Sequence, residues 1–227
     1  MTNRSAPSPT LPRFTGEGVR GQSSSASLML VGDSTEGVRG QSLSAPPPLA
    51  GEGREGAPAW LEDHSHLARI GLKGPSAPAW LQHRGIAIPD RANSWAPLGG
   101  DAEHRDIIAR LGATEFFLEH GSVEALHVLA QELSSAPIGG VYPVLREDRA
   151  FVLAGTAADA VLAEVCNVNF SALRAEAREA VMTMMIGVAV TVVPQGNAAQ
   201  RRYRIWCDPS YGDYLWASLQ DVVRGHA

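Results

Sequence analysis

From Leu67 to Lys73 apolar and polar positions alternate. Ala68, Ile70 and Leu72 fall on one side and Leu67, Arg69, Gly71 and Lys73 on the other, the period-two pattern of a half-buried strand. Gly74-Pro75 breaks the strand. A helix is predicted over 75–84, with Ala77, Trp80 and Leu81 as its apolar stripe, until Gly85 ends it. A proline-containing connection, Ile86 to Ser94, leads to Trp95. Asp106–Leu111 and Glu115–Glu119 flank Gly112-Ala-Thr114 and are predicted to form a hairpin, followed by a helix from Val123 to about Leu133 with Val123, Leu126, Leu129, Ala130 and Leu133 on one face. Val141–Arg146 and Ala150–Ala154 are expected as a second hairpin across Glu147-Asp148-Arg149. Thr156 then caps a helix to about Val165, with Asp159 completing a capping box. Val188–Val193 pairs across the polar loop Gln195–Gln200 with Tyr203–Cys207. Ser210, with Asp213 at the third position, caps a closing helix whose apolar face holds Tyr211, Tyr214, Leu215, Leu219 and Val222. The pattern is α+β: hairpins with helices packed on one side.

Upstream the periodicity is lost. Residues 1–57 are rich in Ser, Gly, Pro and Thr and poor in aromatics, and such a composition cannot bury enough apolar surface to offset the entropy of ordering. The stretch also repeats itself: Gly16-Glu-Gly-Val-Arg-Gly-Gln22 returns as Thr35-Glu-Gly-Val-Arg-Gly-Gln41, without the apolar positions that a solenoid would stack. The expectation is a disordered, low-complexity extension over 1–57 and one folded domain over 58–227. The extension resembles translated intergenic repeats, so translation is expected to begin downstream of Met1. An N-terminal peptide of the native protein mapping near Met1 would remove that expectation.

Composition narrows the function classes. Hydrophobic residues make up 44% of the 227, enough for a real core, and no run approaches the roughly 20 apolar residues of a membrane span. A net charge of −5 argues against nucleic acid, whose phosphates need clustered positive charge. The start of the chain has no apolar stretch of a secretory leader, and Cys166 and Cys207 are not spaced as a metal or redox pair, so the expected location is the cytoplasm. Lys73 is the only lysine among nineteen basic residues.

Catalytic signatures are missing from the pattern. His64 and His66 could share one side of a strand, but no further Cys or His has the spacing to complete a metal site. Gly99-Gly100 and Gly139-Gly140 lack the strand–loop–helix setting of a phosphate loop, and no Ser or Cys stands in a G-x-S-x-G frame. Asp63 and Ser65 are read as turning the chain into the first strand.

Asp63-x-Ser65, then Leu67-Ala-Arg-Ile-Gly-Leu-Lys-Gly-Pro75, then Ala77-x-x-Trp80-Leu81 resembles the opening of the folate-binding aminomethyltransferase superfamily, which includes the glycine cleavage T protein. Arg69-x-Gly-x-Lys-Gly-Pro75, Pro89 with Asn93-x-Trp95, Arg110-Leu-Gly112 with Glu115-Phe116, and Tyr203-Arg with Tyr214-Leu-Trp216 resemble one branch of it, the sarcosine oxidase gamma subunit family. The resemblance runs from about Trp60 to Val223. It implies the folate-binding aminomethyltransferase-like fold, and a non-catalytic subunit of a heteromeric, flavin-dependent complex that oxidatively demethylates an N-methyl amino acid. Flavin, NAD and tetrahydrofolate would then sit on larger alpha and beta partner subunits, with no cofactor on this chain. Binding or interface residues implied by the matched motifs are Arg69, Lys73, Trp80, Asn93, Trp95, Arg110, Glu115, Arg204 and Trp216.

Departures from the superfamily pattern bear on the alternative, a stand-alone tetrahydrofolate-binding one-carbon transferase or maintenance protein. Where the T protein has Gly-Glu-x-Gly-Tyr-Glu, this chain has Ala199-Gln-Arg-Arg-Tyr203-Arg204, so a carboxylate acceptor has become a donor-only guanidinium. Asp101 and Asp106 lie near the position of the T protein's catalytic aspartate but lack its Gly-rich frame ending Asp-Asp, and the Lys-Gly-Cys-Tyr motif of the maintenance branch is absent too. The substitution predicts that folate binding on this chain is lost.

Overall fold

The computed structural model describes residues 58–98, 106–135, 138–197 and 200–226. The expectation for residues 1–57 lies outside these. Among the described residues, ten strands form two antiparallel five-stranded sheets. The first is built from β1 (Trp60–Asp63), β7 (Arg149–Ala154), β10 (Gln200–Cys207), β9 (Val188–Asn197) and β8 (Val181–Met185), in that spatial order. The second is built from β3 (Ser94–Pro97), β4 (Ile107–Arg110), β5 (Glu115–His120), β2 (Ala68–Lys73) and β6 (Tyr142–Val144). Each sheet carries its helices on one face: α1 (Ala77–His83) and α2 (Val123–Ser135) on the second, α3 (Ala158–Val165) and α4 (Gly212–Gly225) on the first.

Strand alternation accounts for this layering. On β5, Phe116 and Leu118 join Leu72, Trp80, Leu81 and Leu126 under α1 and α2, while Phe117 points the other way. On β10, Tyr203, Ile205 and Cys207 pack under α3 and α4 with Leu162, Leu215 and Leu219, while Trp206 points away. Phe117 and Trp206 meet edge to face at 4.3 Å between ring centroids, where the two sheets press together around Trp95, Ile107, Ala109 and Val193. Among the described residues no helix is long and apolar enough to cross a membrane.

The first hairpin, the β9–β10 pairing and all four helices appear where the pattern places them, with differences that have physical reasons. Val141–Arg146 and Ala150–Ala154 do not pair with each other. β6 lies against β2 at Gly71–Lys73 as an edge strand, where Pro143 needs no N–H partner, whereas β7 is buried almost throughout and takes a neighbour on each side, β1 and β10. The link at Glu147-Asp148 is therefore a crossing between sheets. Thr156 caps nothing: the N-cap of α3 is Ala157, which has no polar side chain to cap with, and Asp159 instead accepts from the Tyr203 hydroxyl. Ser210 lies in a 3-10 turn, Pro209–Tyr211, whose capping oxygen belongs to Asp208. Tyr211, Tyr214 and Val123, expected on apolar faces, are all more than half exposed, at 53%, 53% and 58%. The polar loop between β9 and β10 is shorter than the pattern suggests, since pairing continues out to Asn197 and Gln200.

Gly155 holds the first sheet to the chain's entering segment. Its φ of +116° is open to glycine, and a Cβ there would sit 2.5 Å from the Pro58 carbonyl oxygen. That carbonyl accepts the Ala157 N–H at 2.5 Å, which ties β1 to the start of α3.

Candidate functional site

The greatest concentration of buried charge lies between the sheets, and strand register builds it. β2 and β5 pair with Arg69 directly opposite Glu119, on the face turned away from the helices. Arg204, facing the same seam from β10, closes on them from the first sheet. Arg69 Nε donates to Glu119 Oε2 at 2.6 Å, Arg204 Nη1 donates to Oε1 at 2.6 Å, and Trp206 Nε1 donates to Oε2 at 2.8 Å. The Glu119 and Arg204 side chains are fully buried and that of Arg69 is 4% exposed, so one carboxylate takes three donors out of contact with water. Arg69 also donates to the backbone carbonyls of Ser65 at 3.1 Å and His64 at 2.7 Å. Burial pulls the Arg204 guanidinium below its ordinary value, while Glu119 beside it holds the charge in place.

His64 borders this cluster in the turn between β1 and β2. Burial above all, with the positive charges of Arg204 and Arg202, pushes its imidazole down to about 4, although Glu62 at 3.5 Å pulls the other way. His64 is thus a neutral ring in a positively charged seam. It does not share a strand face with His66, because both lie in the turn, and the described residues contain no group of three or more His, Cys, Asp or Glu placed to hold a metal ion. Asp63 Oδ1 accepts the Ser65 N–H at 2.8 Å and so turns the chain toward β2.

The other residues singled out in the sequence are dispersed. Lys73 ends β2 in solvent. Trp80, Trp95 and Trp216 belong to three separate apolar clusters: Trp80 on the buried face of α1 with the Arg84 guanidinium 3.7 Å from its ring centroid, Trp95 between the sheets, and Trp216 on α4 against Phe151 at 5.2 Å. Asn93 has a φ of +56°, a backbone state that asparagine tolerates better than most residues, and its N–H donates to the Arg110 carbonyl at 2.7 Å. Arg110 spends its guanidinium on three backbone carbonyls, those of Pro89 and Asp90 at 3.0 Å each and Ala113 at 2.7 Å, fastening two loops together. Glu115 accepts from Arg146 at 2.9 Å near the edge of the second sheet.

Arg69 and Arg204 are therefore the two that meet, and they do so inside the molecule. The sequence reading expects both as binding or interface residues; the structure buries both. Glu119, which joins them, escaped notice. Its signal was present in Glu115-Phe-Phe-Leu-Glu119, where the alternation puts Glu119 on the same side as Phe117, but its partners are 50 and 85 residues away in sequence.

No family model matches the chain, and no curated protein matches it. Solved structures do. One chain of the heterotetrameric sarcosine oxidase from Corynebacterium sp. U-96, in complex with pyrrole 2-carboxylate, aligns with a TM-score of 0.58 and 20% identity over 74% of this chain and 85% of that one. The glycine cleavage system aminomethyltransferase T from Bartonella henselae aligns with a TM-score of 0.54 and 19% identity over 72% of this chain. This chain spans 45% of that aminomethyltransferase's length. Identities this low establish the fold, and the fold is the folate-binding aminomethyltransferase-like one.

Proposed function

We propose that this chain is a non-catalytic, gamma-type subunit of a heteromeric, flavin-dependent sarcosine oxidase-like complex that oxidatively demethylates an N-methyl amino acid. The observation that carries the reading is extent. The likeness covers 85% of one chain of a heterotetrameric sarcosine oxidase and 45% of the glycine cleavage system aminomethyltransferase, so the match to the sarcosine oxidase chain is the more complete of the two. The fate of the polar residues supports it, since Arg69, Arg204 and Glu119 consume one another inside the seam. Flavin, NAD and tetrahydrofolate belong, in this reading, to larger alpha and beta partners.

An assembly role needs a surface to dock. β8, Val-Met-Thr-Met-Met, is an edge strand with no charge and no proline to discourage pairing, and it exposes Met182 at 55% and Met184 at 53%. This is the edge we assign to the larger partner.

Native isolation from the host, with mass spectrometry of co-purifying chains and a visible absorption spectrum, tests the proposal. Large partner chains with a flavin spectrum are the expected result, and Met182→Lys with Met184→Lys should release the partners without changing the melting temperature of the isolated chain. A colourless monomer overturns it, and tetrahydrofolate binding by that monomer would establish the stand-alone transferase instead.

A further inference from the structure

The second sheet holds an open cleft that neither the sequence motifs nor the proposed assembly role uses. It lies beneath α2, with a volume of about 700 Å³, within the range of small-molecule sites. Leu118, Leu126 and Leu129 form its floor, Ile86 and Leu98 a side wall, and Asp106 and His120 its polar wall. Arg84 stands on the rim.

Hydrogen bonding sets the charge of this wall. The Ser122 N–H donates to His120 Nδ1 at 2.8 Å, so that nitrogen is the acceptor and the ring's proton sits on Nε2. Nε2, 3.2 Å from Asp106 Oδ2, is then a neutral donor to it. Asp106 Oδ1 accepts the Gly121 N–H at 2.6 Å. Two neutral donors orient the carboxylate, and each of its oxygens keeps acceptor capacity. Arg84 does not neutralise it: its Nε donates to Glu132 at 2.6 Å, its Nη2 donates to the same carboxylate, and its face lies on Trp80. The cation and anion at the rim cancel, so that among the described residues the cleft has one fixed negative charge, Asp106, beside an apolar floor.

We propose that this cleft binds a small organic ammonium ion, with the ammonium against Asp106 and a compact apolar body over Leu118, Leu126 and Leu129. An anion would meet the Asp106 carboxylate. A neutral apolar molecule would bury that carboxylate without a counter-charge, which costs more than the hydrophobic contact alone returns.

The test uses the full chain and two probes of nearly equal shape, 2-phenylethylammonium and 2-phenylethanol, in calorimetric titrations at neutral pH. The ammonium should bind and the alcohol should bind at least about tenfold more weakly. Asp106→Asn should erase that preference, and Leu129→Trp, at a half-buried position, should abolish binding of both, with melting temperature reporting that each variant folds. Equal affinities in the unaltered protein, no binding of either probe, or ammonium binding that survives Leu129→Trp would each overturn the proposal.

Discussion

The seam between the sheets and the cleft under α2 use similar residue types to opposite ends. In the seam two arginines and a carboxylate are buried together and satisfied by one another, and the space around them is filled by Phe117, Trp206 and Trp95. In the cleft a carboxylate is held by a backbone N–H and a histidine, next to an apolar lining that includes the half-buried Leu129. The contrast shows that charged residues in an unusual motif are not by themselves a binding surface. What decides is whether register brings them a partner of opposite charge.

Removing that partner is the strongest way to break the comparison. Glu119→Ala leaves two guanidinium groups in the seam with no carboxylate between them, and should cost about 3–5 kcal/mol of stability in urea unfolding. The triple variant Arg69→Met, Glu119→Leu, Arg204→Met removes all three charges and keeps much of the volume. It should be markedly more stable than Glu119→Ala alone, because an apolar replacement leaves nothing uncompensated. If Glu119→Ala unfolds like the unaltered protein, the cluster contributes nothing to the fold and its arginines must be available for another purpose.

Acid probes the same seam more gently. His64 has a folded value near 4, below the ordinary 6.5, so the unfolded chain binds its proton more readily than the native one does. The stability this neutral ring contributes is complete above pH 6.5, falls as pH drops, and is gone below about 4. The loss over that window is on the order of 3 kcal/mol. His64→Gln, which stays neutral, should flatten this part of the stability–pH curve, and a curve of unchanged slope would show that the seam is indifferent to charge at that point.

These residues also mark how far the sequence could be read. The alternation of β2 correctly put Ile70 and Leu72 in one layer and Arg69 on the opposite face, since a one-residue shift would expose the whole apolar set. Helices α2 and α4 were legible from spacing. The crossing at Glu147-Asp148 was not, because a short polar link reads the same whether it joins two strands of one sheet or carries the chain to another. β8 was missed for a related reason: Val181–Met185 is an apolar run with no alternation of charge, and what makes it a strand is its pairing with β9. Of the candidate site, Arg69 and Arg204 were visible as residues, but Glu119 as their shared partner depends on contacts spanning most of the domain, which local pattern does not encode.

Lys73 supplies the finest test of the contrast, because it shares a strand and a face with Arg69. Four positions separate them along β2. Arg69 sits opposite Glu119 in the closed part of the seam, whereas Lys73 lies at the strand's end, where β2 is flanked by the edge strand β6 and the side chain runs out into water. A solvated ammonium gains little from neighbouring charges, so Lys73→Ala should shift stability by less than about 0.5 kcal/mol, while Arg69→Ala should behave like a break in the buried cluster. Parallel urea titrations decide it. If the two substitutions cost the same, burial is not what separates the structural from the available charges on this face, and Lys73 must have a partner of its own.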